Sequence, residues 1–176
     1  MKLSEKRNSN FTPHPETDGP IKAVLVDVTE LKKRMTQYGE KDEFRLVFET
    51  EVEDTENDRR FCIWSRGYTP SLNEKAALRK DLKKMMGREL TQMELDEFDL
   101  EGLIGHGVKL IIQHEHKDDK TYANIATIVP PPKGATIPLI PKDFVRHAVR
   151  EQQQPAQGGS LTSGLGKPGD VEDIDF

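Results

Sequence analysis

The sequence predicts a mainly β fold, a five-stranded barrel interrupted by one helical segment. Three observations predict it. Five short stretches carry β-branched residues or strand-period alternation. One stretch between the third and fourth has helical spacing and ends at Gly87. Both ends of the chain lack apolar periodicity.

The elements follow in order. Residues 1–20 hold three acids and three prolines and read as flexible. Ile21–Val28, rich in valine, is the first strand. Gln37–Asp42 is a turn at Gly39, and Val28–Arg34 is too short for a packed helix. Glu43–Val52 alternates Phe44, Leu46 and Phe48 against Arg45 and Glu49, the period of a second strand. Glu53–Asp58 is an acidic turn, and Arg59–Tyr68 is the third strand. Ser71 and Glu74 have the spacing of a capping box, in which each side chain satisfies the other residue's backbone N–H. The helix after them buries Leu78, Leu82, Met85 and Met86. Thr91 and Glu94 repeat that spacing, which predicts a short helix over Gln92–Phe98, with one more turn at Leu100–Ile104. Val108–His114 and Thr121–Val129 are the last strands, joined by the charged turn His116–Lys120. Pro130-Pro131-Pro132 ends the sheet, because proline cannot donate to a ladder. Beyond Arg150 the composition turns to Gln, Gly and Ser.

This β-β-β-α-β-β order fits a barrel of the oligonucleotide/oligosaccharide-binding (OB) type. A ferredoxin-like sandwich would need a helix after the first strand. The domain organisation is then a flexible N-terminus (1–20), an OB-type domain with a C-terminal extension (21–150), and a disordered linker with an acidic tail (151–176).

Composition limits the function classes. Charged residues are 32% of the 176 and mean hydropathy is −0.71, which leaves a modest core. Cys62 is the only cysteine, so an internal disulfide and a multi-cysteine zinc site are excluded. No stretch approaches the ~18 apolar residues of a membrane span, and the first residues have no apolar signal region. The expectation is a cytoplasmic protein with no membrane partner. The net charge of −5 sits mostly in the tail: residues 151–176 carry one base and five acids, against 25 bases and 26 acids before them. An acidic total therefore does not exclude a nucleic-acid-binding body.

An OB barrel binds along its second and third strands and with the loops joining strands one–two and four–five. If Phe61 and Ile63 face the core, Arg60, Trp64, Arg66 and Tyr68 face outward. An aromatic–basic–aromatic stripe suits single-stranded nucleic acid, since every base has a π face to stack. The alternative is Trp64 as core anchor and Arg66 as a solvated charge. The first loop adds Tyr38 and Lys41, with Arg45 just beyond; the second adds Lys117, Lys120 and Tyr122. The helix bases Lys75, Arg79, Lys80, Lys83, Lys84 and Arg88 read as a solvated face rather than a second DNA track. Enzyme signals are poor: there is no phosphate-binding glycine motif, and Cys62 has no evident base and reads as a packed small residue. His114 and His116 could share a strand face, but no third metal ligand accompanies them. No cofactor and no metal are expected.

The last residues, Asp170, Glu172, Asp173, Ile174, Asp175 and a terminal Phe176 on a Gly/Gln-rich leash, resemble the tail of single-stranded-DNA-binding proteins. The likeness is to the divergent, phage-type OB family rather than the bacterial tetramers. The tip departs from the bacterial pattern, with Asp175 where Pro usually precedes Phe. The resemblance implies that the body coats single-stranded DNA during replication, recombination or repair. It implies that Phe176 inserts into an apolar pocket of a replication or recombination protein while the acids lie on a basic ridge. It also implies the cytoplasm of a bacterial cell or phage-infected host, with homo-oligomerisation possible. Two alternatives remain: a protein-binding adaptor or structural phage protein on the same barrel, and an RNA-binding OB module.

Overall fold

The computed structural model describes residues 12–149. They form a mainly β body with few helices. Its centre is a strongly curled five-stranded antiparallel sheet, a half-barrel. The strands are β1 (Ile21–Val28), β2 (Lys32–Thr36), β3 (Gly39–Glu43), β4 (Leu46–Asp54), β5 (Arg59–Trp64), β6 (Gly107–Lys117) and β7 (Lys120–Val129). The sheet order is β5-β4-β1-β6-β7, and β2-β3 is a separate hairpin. Curling has a local cause. Ladder register shifts between Leu25 and Asp27 in β1, between Glu49 and Glu53 in β4, and between Ile111 and Ile112 in β6. Each irregularity adds twist, and the two edge strands β5 and β7 come into contact.

β1 is the hub. Its residues Ile21–Val24 pair with β6 and Ala23–Val28 with β4. Ala23 and Leu25 enter the main core with Leu46, Phe48, Ile63, Leu110 and Ile112. Helix α1 (Ala77–Met86) adds Leu78, Leu82 and Met85 to the same core. Each fully buried large aliphatic side chain contributes roughly 1.5–3 kcal/mol. The opposite face of β1, Val24 and Val26, is covered with Val47 by Ile137, Ile140 and Phe144. These belong to a C-terminal strap, residues 130–149. Gly107 lets the strap sit close, since a Cβ there would overlap Ile137. Asp27, buried, pins the strap: it accepts from Arg146 Nε at 2.7 Å and from the His147 backbone N–H at 2.6 Å. The same guanidinium reaches the Glu101 carboxylate at 2.7 and 2.8 Å.

Several expectations need correction. The segment 32–43, read as a connection with one turn, is a hairpin whose β2 and β3 pair fully from Lys32↔Glu43 to Thr36↔Gly39. The expected cap Ser71 does not start the helix. Its hydroxyl accepts from Asn73 N–H, and α1 begins at Ala77 without a side-chain cap. The second capping box is formed, opening α2 (Gln92–Asp96), and a 3-10 turn follows at Glu101–Leu103. The turn at 116–120 is tighter than expected: β6 and β7 meet at Asp118-Asp119, both left-handed (φ 51° and 59°), as a two-residue hairpin requires. Residues 12–17, read as part of a flexible end, dock on the sheet. Thr17 N–H donates to Ile112 O and Thr17 Oγ1 accepts from Ile112 N–H. His14 is buried beside Phe61, its ring hydrogen-bonded to Thr50 Oγ1 and Pro15 O. Among the described residues no helix is long and apolar enough to cross a membrane.

Candidate nucleic-acid interface

An open groove of about 2330 Å³ runs along β5. Val47 lies opposite Trp64 in the ladder, and Phe48 lies opposite Ile63. Phe48 and Ile63 point into the main core, so Trp64, on the other parity, stands on the outer face with Val47. Trp64 is 40% exposed, and His147 of the strap meets its ring edge-on at 4.8 Å. The outward reading of Trp64 therefore holds, and the core-anchor alternative does not.

The groove gathers Arg45, Arg60, Trp64, Arg66 and Tyr122, five of the ten residues expected at the interface. Tyr38, Lys41, Lys117 and Lys120 do not line it; they stand on the two hairpins. Tyr38 is 80% exposed with Lys41 Nζ 5.6 Å over its ring. Lys117 and Lys120 are the last pair of the β6–β7 ladder.

Tyr68 is a correction. It is 1% exposed and packs in the core against Phe44, its hydroxyl donating to Asp81 at 2.7 Å. Parity changes because Ser65 bonds to Leu46 whereas Tyr68 bridges Phe44, three steps along one chain against two along the other. Burial pushes the Tyr68 phenol well above its usual range, and the neighbouring Asp81 carboxylate pushes it the same way. Arg66 stays at the surface with its side chain 58% exposed, yet it is not free: it pairs with Asp81 at 2.6 Å. Cys62, expected to be packed, is exposed on the outer face of β5.

Groove charge is graded rather than uniformly basic. Arg34, Arg45, Arg59, Arg60, Arg66 and Lys142 line it, against Glu49, Glu53, Asp54, Glu56, Asp58 and Asp143. Four of those acids cluster at the β4–β5 turn, the end opposite Arg66. Arg60 is committed locally, 3.6 Å from Glu49 Oε1 and 3.5 Å from Leu139 O of the strap. Glu49 is buried and its Oε1 has no hydrogen-bond partner among the described residues. Burial raises its carboxyl pKa, and Arg60 opposes that rise.

Sequence reasoning missed Arg34 and His147. Arg34 sits on the unexpected hairpin, and His147 reaches Trp64 only through the strap. His114 and His116 lie with ring centroids 6.4 Å apart. Among the described residues no group of three His, Cys, Asp or Glu gathers as a metal site would need. The tail residues Asp170, Glu172, Asp173, Ile174, Asp175 and Phe176 lie outside the described residues. Neither a protein-family model nor a curated protein sequence matches the chain.

Proposed function

We propose that this chain is a non-catalytic single-stranded-DNA-binding protein on an OB-type barrel, acting in replication, recombination or repair. One observation carries the reading: a half-exposed tryptophan on the outer face of edge strand β5, in a groove lined by residues of both hairpins and of the strap. The barrel reading is supported by the sheet order, by the helical segment between the third and fourth sheet strands, and by the approach of β5 to β7. Bases would stack on Trp64 and Tyr122, while Arg34, Arg45 and Arg66 supply charge at one end. The tips carrying Tyr38, Lys41, Lys117 and Lys120 would close over the strand. The acidic tail with Phe176 would recruit other DNA-processing proteins, a role that rests on the resemblance of its residues.

Trp64 is the only tryptophan, so its fluorescence reports the site directly. Titration with oligo-dT should quench it, oligo-U should do so more weakly, and duplex DNA should not. Trp64→Ala, followed by anisotropy of a labelled oligo-dT, should weaken binding by about 1–3 kcal/mol with cooperative melting retained. Tight duplex binding, or an unchanged affinity in the variant, would refute the proposal. Preference for oligo-U would reassign it to RNA.

A further inference from the structure

The main groove places an aromatic platform among charges that cancel, so the neutralisation of phosphate has to come largely from elsewhere. Arg66 is common to two grooves. The second, about 560 Å³, lies between α1 and the end of β7. Five bases line it, Arg66, Lys80, Lys83, Lys84 and Arg88, against the single acid Asp81. Asp81 is already engaged, by Tyr68, by Arg66 and by Lys84 at 3.7 Å. Two rim acids answer two of the bases, Glu89 pairing with Lys83 and Glu94 with Arg88. Two positive charges still remain in excess. Ile128, Val129 and Pro130 form an apolar floor.

Resting on the single-stranded-DNA reading, we infer that the strand passes from Trp64 across Arg66 into this second groove, whose lysines bind its phosphates. The direction follows from charge. The acidic β4–β5 turn repels phosphate at one end of the main groove, and the basic groove begins at the other. Lys80 and Lys84, one helical turn apart, stand about 6 Å from each other along α1. That sets two cations along one line beside the backbone of an extended strand. Lys80, Lys83 and Lys84 of this helix thus form a phosphate track, not only a solvated face.

The test compares parent with the double variant Lys80→Ala/Lys84→Ala on labelled oligo-dT of several lengths and salt concentrations. Loss of two phosphate contacts should lower the log–log salt slope by about 1.4 on long oligonucleotides. The same contacts predict a roughly 25-fold weakening at 0.1 M salt that fades towards 1 M. On oligonucleotides too short to leave the Trp64 groove, variant and parent should bind alike. Lys80→Arg/Lys84→Arg should keep the parent's slope, and melting curves establish that each variant is folded. The control Lys75→Ala/Lys133→Ala removes the same charge outside both grooves and should leave the slope unchanged. An equal loss in that control, or an unchanged slope in the Lys80/Lys84 variant, overturns the inference. The DNA reading itself survives either result, since Trp64 quenching in the parent reports on it separately. Absence of quenching in the parent would remove both.

Discussion

Asp81 is the buried acid on which the polar side chains behind the interface converge. Tyr68 donates to it from the core and Arg66 from the surface, so one carboxylate fixes the guanidinium that lines both grooves. Tyr68→Phe removes one bond to a charged acceptor and leaves the other in place. Unfolding by urea should show a loss of about 1.5 kcal/mol, while oligo-dT affinity stays at the parent's value. Lower affinity at unchanged stability would instead return Tyr68 to the binding face. The orientation of Trp64 was legible because Phe61 and Ile63 fix the parity of a regular strand. That of Tyr68 was not, because the regular strand stops at Trp64 and one extra residue enters before the bridge to Phe44.

At the scale of elements, the strap is held by contacts that span most of the body. Asp27 accepts from Val28 N–H, Arg146 and His147 N–H, and Arg146 also grips Glu101. Arg146→Ala should loosen residues 137–147, seen as faster amide hydrogen exchange, and cost about 1–3 kcal/mol. The low end applies, since two backbone donors still satisfy Asp27 and the Arg146 side chain is 40% exposed. Arg146→Lys should not rescue it, because an ammonium cannot fork between two acids. Locally encoded elements were readable: the valine run of β1, the Thr91–Glu94 capping box and left-handed Gly87 (φ 68°) all stand where the residues put them. The β2–β3 hairpin was not, because Lys32–Glu43 has almost no β-branched residues. It is decorated by cross-strand charge pairs, Lys33–Glu40 at 3.3 Å and Arg34–Glu43 at 3.1 Å. The strap was equally hidden, since nothing near Arg146 in sequence announces a partner at Asp27.

For the whole molecule, stability should depend on pH through His14. Its ring is buried and its pKa lies below the ordinary histidine value of 6.5, chiefly from desolvation, with nearby His114 acting the same way. The Pro15 carbonyl can only accept, so Nδ1 donates and neutral Nε2 accepts from Thr50. The unfolded chain binds this proton more readily than the folded one. The contribution is therefore complete above about 6.5 and is lost as pH falls below it toward the lowered pKa of the folded state. Melting temperature should drop between pH 7 and 5.5, more steeply for the parent than for His14→Gln. Equal slopes would show that His14 carries no such linkage. Glu49 acts in the opposite sense nearer the carboxylate range, where its raised pKa makes the folded state gain stability on acidification. Glu94, held down to about 2 by Arg88, loses its contribution only in stronger acid, so the histidine window stands apart.

The strap also bears on the order in which the chain can be made. β1 is synthesised well before the residues that cover its valines, which arrive more than a hundred positions later; Asp27 and Arg146 are 119 apart. Until then Val24, Val26 and Val47 lack their cover. Long-range closure of this kind folds slowly and leaves sheet surface open to wrong partners in the meantime. A nascent chain stopped before Ile137 would present an apolar stripe on the outside of its central strand. Completion of the body is thereby tied to the emergence of the same segment that finally brings His147 against Trp64.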